Sequence, residues 1–177
     1  MNDPRTARGE AVPTVTACQH RIDVSSWRRR APIIALSLAG LAIAATLCLF
    51  QLHVIDSIWD PFFGDGSRRV LTSRLSRALP VPDAGLGALA YGAEAVLEWT
   101  GGPRRALDAP LVVLAGGLVA AGLGVAALGL VVVQAAVVGS FCTLCLTSAT
   151  ISLLIGALAA PETRVALRTI RTRRRLG

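Results

Sequence analysis

The stretch Gly139-Ser140-Phe141-Cys142-Thr143-Leu144-Cys145-Leu146 lies inside a run with no charged residue from position 109 to position 161. Two thiols three positions apart on a helix share a face and can close a short disulfide. With Ser140 as the cap, Cys142 falls in the first helical turn, where unpaired backbone N–H groups and the helix dipole favour a thiolate. A thiolate near membrane depth is costly, which argues against a bare structural role. The opposing reading, two buried inert thiols acting as small hydrophobes, does not account for the spacing or for the position at a helix start. The stretch predicts a redox disulfide at the head of a membrane-embedded helix.

A chain of 177 residues allows one domain, and a 53% hydrophobic content with positive mean hydropathy points to the bilayer. All 18 basic residues are Arg and the net charge is +7. Together with the Ala, Gly, Leu and Val bias, this suggests a bacterial genome of high GC content. Arg clusters beside apolar spans are what the positive-inside rule produces, and no nucleic-acid motif accompanies them, so nucleic acid is not expected as a partner. Of the four cysteines only Cys142 and Cys145 have a meaningful spacing. A structural zinc site wants four ligands, so no metal is expected, and Cys18 with His20 makes only half a site.

Residues 1–30 are polar and read as a disordered cytoplasmic tail that ends in Trp27-Arg28-Arg29-Arg30. The first span covers about 32–52, and Cys48 within it reads as a buried apolar residue. The loop that follows is rich in turn formers, and residues 67–79 have helical spacing with Leu71, Leu75 and Leu79 on one side. That pattern predicts a short amphipathic helix on the bilayer surface, ended by Pro80 and Pro82.

A second span over about 84–100 is interrupted by Glu94 and Glu98. Charge decides in its favour. With four spans, the N-terminal tail, the 101–109 connection and the C-terminus share a side and carry six, two and six Arg. The opposite side then holds four Arg and four Asp. Three spans would put the C-terminal Arg cluster outside, against the rule. Glu94 and Glu98 are expected to be solvated at the inner interface, with proton relay as the alternative. The third span covers about 111–133, where Gly117/Ala121, Ala120/Gly124 and Gly122/Ala126 have the spacing for close helix packing. The fourth covers about 141–160; Pro161 is expected to end it, leaving 161–177 as a basic cytoplasmic tail. The fold class is thus all-α: an integral membrane four-helix bundle whose outer loop carries a short amphipathic helix. Both termini are cytoplasmic in the bacterial inner membrane, and the cysteine pair faces the outer, oxidising side.

At four places the chain resembles the vitamin K epoxide reductase family of membrane thiol–quinone oxidoreductases. They are the Cys142–Cys145 pair opening the last helix, the loop run Ser67-Arg68-Arg69-Val70-Leu71-Thr72-Ser73-Arg74, the run Pro82-Asp83-Ala84-Gly85-Leu86-Gly87, and Tyr91. The resemblance covers roughly residues 31–160. It implies a four-helix bundle around a quinone of the menaquinone or ubiquinone class. By the same resemblance Cys142 exchanges with an exported thioredoxin-like protein or small thiol, and Cys145 faces the quinone. Asp83 stands where an Asn that hydrogen-bonds the quinone is usual; an N-cap role is the alternative. Ser73 matches a loop Ser beside the cysteines, and Tyr91 is either a ligand contact or core packing. Trp59, Phe62 and Phe63 form either an apolar lid or a set of interfacial aromatics. His53 reads as interfacial, and the Arg clusters add lipid-headgroup contact. Two loop cysteines that relay electrons in familiar members are replaced here by Trp59 and Ser67, and the Tyr expected four residues after the pair is Ala149. The chain is therefore expected either to take electrons directly at Cys142 or to be a non-catalytic membrane scaffold.

Overall fold

The structure is a computed structural model that describes residues 25–58, 60–64, 66–72 and 82–176. Among these the regular elements are all helical: α1 (Trp27–Gln51), α2 (Gly66–Leu71), α3 (Asp83–Trp99), α4 (Arg105–Asp108), α5 (Pro110–Val133) and α6 (Thr143–Leu176). A π-helical turn, Gln134–Val138, prolongs α5 and ends at Gly139, whose φ of 62° suits a residue without Cβ. Three helices, α1, α5 with its π turn, and α6, are long and apolar enough to cross a membrane. The expected second span corresponds to α3, whose 17 residues reach about 25 Å and carry two Glu, so it does not meet the same measure. On α5 the residues Leu111, Leu118, Val125 and Val132 are 73, 74, 73 and 62% exposed. Their seven-residue spacing makes one continuous apolar side, which fits lipid and not water.

Small residues set the helix contacts. A Cβ on Gly40 of α1 would overlap the Tyr91 ring of α3, and one on Gly87 would lie 3.9 Å from Ala44 Cβ. The two helices are therefore antiparallel, with Gly40 level with Tyr91 and Ala44 level with Gly87. Between α5 and α6, a Cβ on Gly117 would overlap Thr163, and one on Gly156 would lie 3.9 Å from the Ala120 carbonyl oxygen. The expected small-residue pairs are only partly used for packing, because Gly122 and Gly124 have open space where a side chain would go. Ile33, Ala44, Tyr91, Ala120, Leu123, Ile151, Ile155 and Ala159 form the main core.

Two local expectations are corrected. Pro161 does not end the last helix; α6 runs through it to Leu176. A helix-interior proline removes one backbone hydrogen bond, but here contacts beyond it hold the axis. Glu162 is ion-paired to Arg105, and Ala166 is fully buried in a cluster with Ala106 and Val113. Second, the described part of the loop helix, α2, is only six residues long; Val70 and Leu71 are buried, and Leu71 joins Leu47 and Phe50 in a cluster against which Leu144 and Cys145 pack. Residues 73–79 of the expected amphipathic helix lie outside the described residues.

Glu94 and Glu98 are not solvated at an interface; both are buried, as are Arg30 and Arg105. Arg105 grips both oxygens of Glu162 at 2.7 and 2.8 Å and Glu98 Oε2 at 2.7 Å. Arg30 Nε lies 3.7 Å from the same Glu98 oxygen. Its other nitrogens donate to the carbonyls of Glu98, Thr100 and Gly101, so it caps the C-terminus of α3. Ser25 Oγ donates to Glu162 at 2.7 Å, and Trp27 stacks edge-on against Trp99. This buried network ties α1, α3, α4 and α6 together. Removing its central cation leaves Glu162 without a counter-charge and Glu98 with only Arg30 Nε, 3.7 Å away. Arg105→Ala is expected to cost about 3–5 kcal/mol, read as a lowered unfolding midpoint in mild detergent, and Arg105→Lys to recover only part because it cannot bind two oxygens side by side.

Candidate functional site

Cys142 and Cys145 form a disulfide with a Cα–Cα distance of 5.2 Å. The helix starts at Thr143, so Ser140 is not its cap. Cys142 itself stands at that position: its carbonyl accepts the Leu146 N–H at 3.0 Å, and its Sγ accepts the Cys145 N–H at 3.1 Å. A sulfur held against a free N–H of the first turn is in the setting that stabilises a thiolate.

The two sulfurs have different surroundings. Cys142 is fully buried, whereas Cys145 is half-buried and lines a cavity of about 540 Å³. The walls are largely apolar, from Ala44, Leu47, Val70, Leu71, Leu123 and Ala127 among others. Polar groups enter at few points: Asp83 and Tyr91 of α3, Gln134 of the π turn, and Ser148 and Ser152 of α6. Tyr91 Oη meets Ser148 Oγ at 2.9 Å and Ser152 Oγ at 2.7 Å. Asp83 accepts from the Gln51 side-chain amide and from the Ala84 N–H at 2.9 Å, so it serves the first turn of α3 from inside the helix. A mostly apolar cavity of this size with a few convergent polar groups suits a small planar ligand.

Of the residues named from sequence, Cys145, Asp83 and Tyr91 are brought to one cavity and Cys142 to its edge. Phe62 is 79% exposed in the loop and does not line the cavity. Trp59 and Ser73 lie outside the described residues. Two residues were missed. Gln134 Oε1 accepts the Cys142 N–H at 2.9 Å, while its Nε2 is buried with no acceptor. It is the single polar side chain between residues 111 and 138, a signal visible in the sequence.

Asp60 is the second. Its carboxylate accepts from Ser67 Oγ at 2.6 Å, from the Phe63 N–H at 3.0 Å and from the Thr143 hydroxyl. It thereby pins the loop to the head of α6. Phe63 packs on Phe141 with ring centroids 5.7 Å apart, and Gly66 leaves no room for a Cβ against the Phe141 carbonyl. The loop is thereby held against Phe141 and Thr143, the residues on either side of Cys142. Burial works to raise the Asp60 carboxyl, but the hydrogen bonds from Ser67, Thr143 and the loop backbone outweigh it and hold the group well below the usual carboxylate range.

These features define an all-helical membrane protein with a disulfide at the edge of an apolar cavity. Residues 31–160 match the vitamin K epoxide reductase family, and the chain belongs to that family. It is accordingly a membrane protein of the thiol–disulfide oxidoreductase type, in a family that generally uses quinones. No curated protein matches the chain.

Asp60→Asn, which keeps the shape and removes the charge, is expected to weaken loop attachment by about 2 kcal/mol. The check is the rate at which a small external thiol reduces the disulfide, expected to rise roughly tenfold or more. Because the folded-state value is depressed, the attachment is complete above the unfolded carboxylate range near pH 4. It weakens as pH falls below that, read as faster hydrogen exchange at the Phe62 and Phe63 amides.

Proposed function

We propose that this chain is a membrane thiol–quinone oxidoreductase that oxidises exported dithiols and so supports disulfide-bond formation outside the cell. The observation that carries this reading is the single disulfide with Cys145 in the cavity wall and Cys142 beside the loop. In this reading α3 is the second of four spans around the cavity, in a bacterial inner membrane with both termini cytoplasmic. The distribution of Arg supports that orientation.

The residues take the following parts. A thiolate of an exported thioredoxin-like protein or a small thiol attacks Cys142 Sγ, the Cys142–Cys145 bond breaks, and Cys145 leaves as a thiolate in the cavity. The second donor thiol displaces Cys142, so the donor leaves oxidised and the pair is left as a dithiol. A bound quinone would supply the two-electron acceptor that restores the disulfide. The fit rests on the chain's own groups: the apolar walls hold a ring, and the buried Gln134 Nε2 is a donor still without an acceptor. Asp83 and Tyr91 orient the ring from α3. Trp59, Phe62 and Ser73, all residues of the loop sequence, are assigned to the loop side of the site. With no cysteine between positions 49 and 141, electrons enter at Cys142 directly.

The decisive measurement is the redox state of the pair in native membranes, by thiol alkylation and gel shift, with Cys18 and Cys48 replaced. The disulfide is expected to become reduced when quinone is depleted, and Cys142→Ala or Cys145→Ala to reduce dithiol-dependent quinone reduction to background. A pair that stays reduced whether or not quinone is present would instead leave a non-catalytic scaffold.

A further inference from the structure

One face of α3 carries Asp83, Gly87, Tyr91, Glu94 and Glu98 at helical spacing. Its first three members line the cavity, and Glu98 belongs to the buried ion-pair network. Glu94 lies between them. It is fully buried, and neither of its carboxyl oxygens has a hydrogen-bond partner. Ser37 of α1 is also fully buried with an unpartnered hydroxyl. The register that sets Gly40 level with Tyr91 and Ala44 level with Gly87 carries Ser37 to the level of Glu94. On the α5 side stands Gly116, where a Cβ would lie 3.8 Å from Glu98 Oε1 and 4.0 Å from Glu94 Oε2. The two carboxyl groups thus share a space that a glycine leaves open.

Burying polar groups without partners costs a few kcal/mol each, so two such groups at one level of the bundle are poor structural material. We propose that Glu94, with Ser37, is the proton-transfer station that supplies the cavity from the end of the molecule opposite the disulfide. The inference rests on the oxidoreductase reading. On the cavity side, the Tyr91, Ser148 and Ser152 hydroxyls form a connected set that can pass a proton. On the other side stand the charged groups Glu98, Arg30, Arg105 and Glu162. The balance per turnover is complete. The donor dithiol loses two electrons and two protons at the disulfide end and forms its own disulfide. The two electrons leave the cysteine pair as its S–S bond closes again, its protons having left at the disulfide end, and Glu94 would deliver the two protons that a bound quinone acceptor needs to become the quinol.

The test uses the full chain in sealed phosphatidylcholine vesicles, with dithiothreitol as donor, a short-chain benzoquinone as acceptor and a pH dye on either side. Protons are expected to be drawn from the compartment at the Arg30 and Glu162 end. Glu94→Gln is expected to slow quinol formation at least tenfold and flatten its pH profile, with Glu94→Asp recovering part of the rate. Exchange of the disulfide with dithiothreitol in the absence of quinone is expected to be unchanged, which shows that the fold is intact. In the quinone-free protein, an infrared carboxylic-acid band that Glu94→Gln abolishes is expected as well. A wild-type rate with unchanged proton uptake in Glu94→Gln, or absence of that band, would overturn the relay while leaving the oxidoreductase reading standing. A wild-type protein that passes no electrons to quinone overturns both.

Discussion

Arg105 is the residue on which the arrangement of the helices depends. It joins α3 and α6 through two carboxylates in a place that water hardly reaches. A lone charge there would be far too costly, so the cation and its acids hold position only as a set. The set fixes the helix axes at one end. It also explains how α6 continues past Pro161, since Glu162 is anchored immediately beyond the ring. Arg30 completes the arrangement by satisfying the Glu98 carbonyl in the last turn of α3 and those of Thr100 and Gly101 just beyond it, groups that a short helix in apolar surroundings cannot leave open.

The opposite end is held by different chemistry. Asp60 is an anion surrounded by neutral donors, and no cation is paired with it among the described residues. Such a carboxylate is satisfied by hydroxyl and amide groups of the loop itself and by the head of α6. One end of the molecule is therefore pinned through long side chains between helices, and the other through the hydrogen bonds of one loop carboxylate. The cavity and the disulfide sit at the second end.

The Cys142–Cys145 pair, the three long helices and the presence of polar groups in α3 were legible from composition and spacing alone. The partners of those polar groups were not. Glu94 and Glu98 read as interfacial because a linear chain does not display Arg105 or Glu162 beside them. Pro161 read as a stop because the backbone rule is local and the anchoring contact lies 57 positions away. Ser140 read as a cap from residue type, yet the π turn and Gly139 carry the chain so that Cys142 takes that position instead. Gln134 stood out in the sequence as a lone polar residue in an apolar run. Its meaning required the knowledge that a π turn brings it over the cysteine backbone.

The two sulfurs of the disulfide have different surroundings. One sulfur lies beside the loop and the other in the wall of the cavity, with a single covalent bond between them. Two partners that engage opposite ends of one bond never need to be present together. For a disulfide that cycled between two such partners the steady state would be ping-pong, with parallel double-reciprocal lines. A saturating partner at one end then cannot displace the partner at the other, and the two half-reactions can be tuned independently by changing the residues of one end alone.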